Sequence, residues 1–500
     1  MRWVSESVEK HDSLGKEEGR LTNSLNREKQ IKLYLIGGVA VAVLFAGLAS
    51  LKTWPVLDGD APAYFSPAVE FSQGRALTNP TWLPPLDESI DGPGGRRYIY
   101  HGFVYPLLIG WLGKFVGGGA AACVAWMHFF NVIAALSCAV GVLGFCRQQD
   151  GLRKNLSFIL PLFFFALCEA YAGRPEPAVL LLMGLGLIAI QKLRGIFLTS
   201  TLNALCGLIF LTSPAIGVLS VLPLLAFRFS QKEKTPLTES AVGVAAFIAA
   251  LALGFSFYPY PPADWFHGVW RHGRINLALP QGQGFLQTWI TWAQAPLLIF
   301  TFGITALIAL NCVLKRNNGR ENVTRICSLT VLLLFLVGLG KVAFSKTEAS
   351  YNAVVWIPLF LAILLTEEPD KASRVALLFA LFLPVFGLAR SSFVLVHQFR
   401  AAAVSLSQVS SVILEKEREG IQISTGLFLA APNLNVVSFG AGSKPLWRIE
   451  QQTNRGVSQP PEIHAYSLEE NKFDNPIRIL GLPISRTPGG WEYALYRRMD

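Results

Sequence analysis

Long apolar segments recur between residues 33 and 395 of this chain, and they restrict its fold more than any other feature of the sequence. Most of them reach the roughly 17–25 residues that an α-helix needs to cross a membrane. The composition agrees, because 52% of the residues are hydrophobic and only 15% are charged, against about 25% charged in soluble domains. The sequence therefore predicts an all-α polytopic membrane protein. Its apolar segments are 33–50, 103–117, 120–146, 155–172, 176–191, 196–211, 214–229, 240–258, 289–313, 326–344, 352–366 and 374–395.

The segment 103–117 is short for a membrane span and contains Tyr105-Pro106 near its start, so we expect it to be re-entrant or interfacial. The other segments then give about eleven transmembrane helices. Three regions follow from this pattern: a polar N-terminal segment at 1–32, a transmembrane domain at 33–395, and a C-terminal region at 396–500. Because the C-terminal region combines an amphipathic stretch with short apolar runs, we predict a small α/β domain there.

Basic residues predict the orientation of the chain. If the N-terminus is cytoplasmic, the short cytoplasmic loops hold fourteen Lys and Arg residues, whereas the short outer loops hold only Arg174, Arg271, Arg274 and Lys346. This is the positive-inside pattern. It places the first outer loop at 51–119, the loop at 259–288 and the C-terminal domain on the extracytoplasmic face. The same pattern accounts for the net charge of +10, so we expect membrane lipid and not nucleic acid as a partner.

Two acids, Asp58 and Asp60, directly follow the first apolar segment. A carboxylate at a membrane boundary is partly dehydrated, which raises its pKa and makes it a better general base near neutral pH. Asp60 is therefore the candidate catalytic base, with Asp58 as a second candidate. The alternative is that both acids are ordinary solvated loop residues.

The residues after Asp60 carry a family resemblance. Tyr64, Ala68 and Gly74 follow it, and Tyr105-Pro106-Leu107-Leu108 comes before the second span. This arrangement resembles the first outer loop of the polytopic glycosyltransferases of superfamily C, such as protein O-mannosyltransferases and lipid A aminoarabinose transferases. Ala61 stands where that family usually has Glu, and a single Pro106 stands where two prolines are common.

The resemblance implies a bacterial-type plasma-membrane enzyme that transfers a sugar, with inversion, from a polyprenyl-phosphate donor to an acceptor at the extracytoplasmic face. The acceptor would be a glycan, a lipid or a protein, and Asp60 would be the general base. Tyr64, His101 and Tyr105 would contact substrate. The missing Glu leaves a divalent cation open as a cofactor, with His101 as one candidate ligand and no second ligand evident.

A second candidate region is the turn at 172–177, which contains Arg174 and Glu176. An Arg-Pro-acid turn here is also similar to the family pattern, which implies that Arg174 holds the donor phosphate and Glu176 assists the acceptor. Ionisable residues at a membrane boundary are costly and commonly functional. The alternative is a structural one, in which Glu169, Arg174 and Glu176 pair with one another.

Two later outer loops offer cations for a lipid phosphate. The loop at 259–288 interleaves Arg271 and Arg274 with tryptophans and histidines, and Arg forms bidentate contacts with phosphate. The loop around 346–352 offers Lys346 as a phosphate contact and Tyr351 as a substrate contact. The alternative for the first loop is an aromatic belt with arginines that extend to the membrane surface.

Two other function classes stay open at this point. A transporter or lipid flippase would use Glu169, Lys341 and Arg390 along a path, although the sequence contains no evident internal repeat of the kind that many transporters have. A polysaccharide polymerase or ligase would also use lipid-linked sugars and would place its basic groups in the loop at 259–288.

Overall fold

The structure of the protein, a computed structural model, describes a defined set of residues. They are 26, 28–50, 61–78, 97–145, 150–214, 237–278, 296–314, 356–364 and 370–389, together with the strand residues 421–423, 447–452, 463–468, 477–479, 482–485 and 492–498.

The described part of the chain before residue 390 is mainly helical. Five of its helices are long and apolar enough to cross a membrane: Glu28–Ser50, Ala120–Leu143, Gly195–Thr212, Leu237–Ser256 and Lys371–Ala389. This finding supports the predicted membrane class. The full set of eleven spans stays a prediction, because segments such as 214–229 and 326–344 lie outside the described residues. The helices are α1 Glu28–Ser50, α2 Ala61–Ser72, α3 Val104–Phe115, α4 Ala120–Leu143, α5 Asp150–Ala170, α6 Glu176–Lys192, α7 Gly195–Thr212, α8 Leu237–Ser256, α9 Pro262–Ala278, α10 Pro296–Leu314, α11 Trp356–Leu364 and α12 Lys371–Ala389.

Two helices lie inside regions that the sequence suggests only as outer loops. Helix α2 occupies part of the first outer loop, and α9 occupies most of the loop at 259–288. Helix α3, in the short segment at 103–117, has 12 residues and so a length of about 18 Å, too short to cross a membrane. This length agrees with the expectation that the segment does not span.

The helix ends form two groups, at opposite ends of the bundle. At the first end, Lys154 at the start of α5 lies over the ring of Tyr34 in α1, 5.0 Å from its centroid. There, too, Gln191 near the end of α6 donates to the Gly141 carbonyl near the end of α4 at 2.6 Å. Helices α7 and α8 both begin here and lie parallel to each other, with Thr199 Oγ1 donating to Glu239 Oε2 at 3.4 Å. We call this the basic end, since Lys154, Lys192 and Arg194 lie there.

The opposite end carries the short helices and their connections. The Gly119 amide before α4 donates to Ser72 Oγ at the end of α2 at 2.9 Å. The Phe103 amide before α3 donates to the Leu211 carbonyl near the end of α7 at 3.0 Å. Because α5 ends and α6 begins here as well, we call this the site end.

Small residues allow the central helices to pack closely. Gly141 in α4 and Gly184 in α6 face each other's helices, where a Cβ on either glycine would approach backbone or side-chain atoms too closely. Such contacts between small residues are common where helices associate in membranes. The core then continues through α5 to α11, where Phe163 packs edge-on against Trp356 at 4.9 Å between ring centroids.

Strands follow in the C-terminal region: β1 Ile421–Ile423, β2 Trp447–Gln452, β3 Ile463–Leu468, β4 Ile477–Ile479, β5 Leu482–Ser485 and β6 Glu492–Arg498. Four of them form a sheet in the order β1-β2-β6-β3, with β1 and β2 parallel and the other pairs antiparallel. Strands β4 and β5 form a separate antiparallel pair. The amphipathic stretch expected at 401–417 lies outside the described residues, so the complete α/β domain stays a prediction.

Candidate functional site

Polar side chains from four separate segments meet at the site end of the bundle. Tyr64 comes from α2, His101 from the segment before α3, Arg174 and Glu176 from the turn between α5 and α6, and His272 from α9. We call these five residues the polar cluster. Four of them, all except His272, are among the candidates that the sequence suggests.

The centre of the cluster is the contact between Tyr64 and His101. The Tyr64 hydroxyl lies 3.3 Å from His101 Nδ1, and the two ring centroids are 4.6 Å apart. On its other side, His101 packs edge-to-face on His272, at 4.6 Å between centroids. Two imidazoles and a phenol are therefore in mutual contact at the centre of the cluster.

Hydrogen bonds to backbone carbonyls hold in place the segment 97–103, which contains His101. The indole Nε1 of Trp265 donates to the His101 carbonyl at 2.8 Å, and the Tyr98 hydroxyl donates to the Gly102 carbonyl at 3.2 Å. Gly102 lies so close to the Thr212 carbonyl that a Cβ there would clash, and Gly268 of α9 has the same relation to the Ile99 carbonyl. The segment is therefore clamped between the end of α7 and α9.

Tyrosines outside the spanning helices strengthen this clamp. Tyr258 donates to the Tyr98 carbonyl, and Tyr260 donates to the Leu77 carbonyl at 2.7 Å. Burial raises the pKa of Tyr260 to about 12, and the nearby Arg97 guanidinium opposes part of this rise. Burial also raises the pKa of Tyr98 and of Tyr258 well above the ordinary value of a phenol. All three hydroxyls therefore remain hydrogen-bond donors throughout the neutral range.

An ion pair fixes the turn between α5 and α6. Arg174 Nε donates to Glu176 Oε1 at 3.2 Å, and the two side chains are 14% and 1% exposed. Glu176 is the first residue of α6, where the partial positive charge of a helix N-terminus favours a carboxylate. The Arg174 guanidinium also lies over the Tyr64 ring, 5.9 Å from its centroid. Glu176 therefore orients Arg174 toward the rest of the cluster.

A second polar group lies within the helices next to the cluster. His128 Nδ1, in α4, lies 2.9 Å from both carboxylate oxygens of Glu169, in α5. Asn131 Nδ2 donates to Glu169 Oε1 at 2.9 Å, and its own Oδ1 is buried with no hydrogen-bond partner in the part of the chain that the structure describes. We call His128, Asn131 and Glu169 the buried triad. Of the structural pairing suggested among Glu169, Arg174 and Glu176, the contact between Arg174 and Glu176 forms, and Glu169 contacts His128 and Asn131 of α4.

Tyr105 lies between the triad and the turn. Its side chain is fully buried, and both Glu176 and Glu169 act on its hydroxyl electrostatically. The hydroxyl lies near the backbone of Gly173, but it forms no hydrogen bond of normal geometry with any of the described residues. Direct contact between Tyr105 and a substrate would therefore need a change of conformation at this turn.

Helix α9 closes one side of the cluster. Its Arg271 and His272 side chains are half-buried, and the only acid in its first turn, Asp264, pairs with Arg97 at 3.2 Å. Arg274 lies on the same helix, at a position where only the backbone is described. The structure therefore brings Arg271, through its neighbour His272, close to the cluster.

Several sequence-predicted residues lie outside the described part of the chain: Asp58, Asp60, Lys346 and Tyr351. Their roles stay predictions. Within the described residues, no three His, Cys, Asp or Glu side chains are close enough to hold a metal ion.

Sequence reasoning missed His272 and most of the buried triad. His128 and Asn131 gave a usable signal, because polar residues within an apolar helix are costly and commonly have a function. His272 gave only a weak signal in the sequence, because its contact with His101 joins residues that are far apart in the sequence.

Comparison of the chain with protein-family models, with curated proteins and with solved structures finds no match. The function is therefore argued from the site itself.

Proposed function

We propose that this protein is a membrane glycosyltransferase that takes a sugar from a polyprenyl-phosphate donor at the extracytoplasmic face. One observation carries the proposal: Tyr64, His101 and Arg174, from three segments far apart in sequence, meet at one end of an apolar helical bundle. Tyr64 and Arg174 belong to the two patterns on which the sequence resemblance depends. An amphiphilic donor needs such a place, because its chain stays in lipid while its headgroup reaches polar side chains.

The charges of the cluster suit a departing lipid phosphate. The leaving group is polyprenyl phosphate, a phosphate monoester and a weak base, so it needs stabilisation by cations more than it needs a proton. Arg174 is pre-oriented by Glu176 at 3.2 Å, and such fixed charges stabilise a developing anion without further reorganisation. Arg271 would add a second cation, and the imidazoles of His101 and His272 would add N–H donors.

The proposed base is Asp60, which immediately precedes α2 and comes four residues before Tyr64 in the sequence. In the proposed step, an acceptor hydroxyl oxygen attacks the anomeric carbon from the face opposite the phosphate. The new glycosidic bond forms as the bond between the anomeric carbon and the phosphate oxygen breaks. The hydroxyl proton passes to Asp60, and the lipid leaves as its phosphate, which gives inversion at the anomeric carbon.

One observation favours a second candidate, a transporter or lipid flippase. The buried triad places an imidazole and a carboxylate 2.9 Å apart where α4, a candidate span, packs against α5. Ionisable groups of this kind line substrate or proton paths in many transporters. The two candidates differ in one measurable respect, since only a transferase breaks the bond between sugar and phosphate.

The test uses the purified full-length protein in vesicles, with a panel of polyprenyl-phosphate sugars labelled in both the sugar and the lipid. We expect release of bare polyprenyl phosphate together with a labelled acceptor product. Asp60→Asn should abolish release, while Glu28→Gln, at an exposed acid in the first helix, should leave it unchanged. An Asp60→Asn protein that inserts normally and transfers sugar at the full rate contradicts the proposed base. Movement of intact donor across the bilayer, without cleavage, would favour the transporter.

A further inference from the structure

Helix α9 has two faces of opposite character. One face buries Trp265 and Gly268, with the Trp265 ring packed against Phe103, Phe210 and Phe255. The other face exposes side chains at helical spacing: Ala263, Phe266, His267 and Trp270. Phe266 is 47% exposed and Trp270 is 70% exposed. Two large aromatic side chains on one stripe of a short helix need an apolar or interfacial partner.

The exposed stripe of α9 continues the exposed face of α8. Phe266 contacts Phe255 in the last turn of α8, with ring centroids 5.7 Å apart. Helix α8 is a candidate membrane span, and its exposed side chains are themselves apolar: Ile248 at 58%, Leu253 at 59% and, just beyond its end, Phe257 at 65%. The surface that lipid would cover along α8 therefore leads without interruption onto α9.

The residues of this stripe are those that favour the boundary between acyl chains and headgroups. Tryptophan is enriched at that boundary, where its ring meets both apolar and polar surroundings. Helix α9 also mixes these aromatics with charged residues, Asp264 and Arg271 among them, so it is far less apolar than a spanning helix. An amphipathic helix of this kind lies in the interface, about 5–10 Å into the headgroup region.

We propose that α9 is an interfacial helix whose Phe266–Trp270 stripe docks onto the bilayer, specifically at the boundary between headgroups and acyl chains. Its opposite face carries His272, which contacts His101 at 4.6 Å between centroids. The docked helix therefore fixes the depth of the polar cluster relative to the membrane surface. This inference concerns the fold and holds whether the cluster transfers sugars or transports lipids.

The experiment measures depth with a fluorescent label. The full-length protein carries a single cysteine labelled with an environment-sensitive dye at position 266 or 270, after Cys146, Cys312 and Cys327 are replaced by alanine. Four other cysteines (Cys123, Cys138, Cys168 and Cys206) are buried and are checked for absence of labelling. The protein is reconstituted into vesicles of phosphatidylcholine brominated either high on the acyl chain or near its end.

Bromines high on the chain should quench the dye at 266 and 270 more strongly than bromines near the chain end. Two controls calibrate the depth scale. Ile248→Cys in the middle of α8 should show the reverse preference, and Lys29→Cys at the polar start of α1 should show little quenching by either lipid. If replacing the aromatic residues disturbs folding, Ala263→Cys on the same stripe gives the same measurement with a small change.

The proposal is overturned by either of two results. Absence of quenching at 263, 266 and 270 would mean that the stripe faces water or another protein. Quenching strongest near the chain end, as expected at Ile248, would mean that α9 is inside the hydrocarbon layer and is not interfacial.

Discussion

The buried acid Glu169 gives the sharpest prediction for stability. In Glu169→Ala, His128 Nδ1 and Asn131 Nδ2 would both lose an acceptor that lies at 2.9 Å. His128 is 7% exposed and Asn131 is fully buried, so water cannot easily replace the carboxylate. An unsatisfied buried donor costs about 1–3 kcal/mol. Two such donors therefore predict a loss of about 2–6 kcal/mol in the free energy of unfolding.

The assay is reversible unfolding in mixed micelles of mild detergent and dodecyl sulfate, followed by circular dichroism. Glu169→Ala should unfold at a clearly lower fraction of dodecyl sulfate than the unmodified protein. Glu169→Gln keeps one acceptor oxygen and should fall between the two. Glu28→Gln removes an exposed acid from a surface pair with Lys32, so it serves as the matched control and should unfold with the unmodified protein.

A double-mutant cycle tests whether the loss arises from the contact itself. Combining His128→Ala with Glu169→Ala should cost less than the sum of the two single changes, since the second change removes a partner that is already lost. We expect a coupling of about 1 kcal/mol or more, although hydrogen bonds between membrane helices average about 0.6 kcal/mol in measured cases. Fully additive losses, or a Glu169→Ala protein as stable as the control, would refute the account of the buried triad.

Three further predictions concern the cluster and the elements that hold it. Arg174→Gln should lower kcat/KM for the lipid-linked donor about 10–100-fold, as expected when a charged hydrogen bond of about 1.5–3 kcal/mol is lost. Arg194→Gln, at the basic end, should leave kcat/KM unchanged. Equal rates for the two variants would exclude a phosphate role for Arg174. Gly268→Ala should lower the melting temperature, because its Cβ would meet the Ile99 carbonyl. Gly303→Ala, where a Cβ has open space, should leave the melting temperature unchanged. Similar melting temperatures for the two variants would refute the close packing of α9. Between pH 10 and about 12 the unfolded chain loses the Tyr260 proton while the folded chain keeps it. The free energy of unfolding should therefore fall as the pH rises over this range, and it should fall less in Tyr260→Phe. Identical slopes of the free energy of unfolding against pH in the two proteins would contradict the raised pKa.

The long apolar helices were predictable because their signal is local. The apolar segment at 176–191 corresponds to α6, Glu176–Lys192, and the segment at 196–211 corresponds to α7, Gly195–Thr212. Each helix in lipid satisfies its own backbone hydrogen bonds, so an uninterrupted apolar run of sufficient length is enough to define it. The bounds then shift by only a few residues.

Helix α9 was not predictable in the same way. Its aromatic side chains at 266 and 270 are interspersed with His267, Arg271 and His272, so no long apolar run appears, and the segment resembles a loop with an aromatic belt. Only the packing of Trp265 and Gly268 against distant segments shows that it is helical with one buried face. The helical structure of α9 therefore depends on tertiary contacts, which a local sequence pattern does not show.

The candidate site was predictable in most of its residues and in the pair of Arg174 and Glu176, but not in the partners of Glu169. The chemistry of Arg174 and Glu176 marked them as unusual at a membrane boundary, and they do pair with each other. Glu169 was also marked, yet its partners His128 and Asn131 lie about forty residues away in the sequence. Residue type indicates that a buried acid needs a partner, and the fold alone determines which partner it finds.

The central claim is that a polyprenyl-phosphate headgroup binds at the polar cluster. The most direct measurement is photocrosslinking of the vesicle-embedded protein with a polyprenyl phosphate that carries a diazirine next to its phosphate, followed by peptide mass spectrometry. The account predicts adducts on the segments that contain Tyr64, His101 and Arg174, and these adducts should disappear when unlabelled polyprenyl phosphate competes. Adducts confined to the basic end, near Lys154 and Arg194, or adducts that no competitor removes, would contradict it.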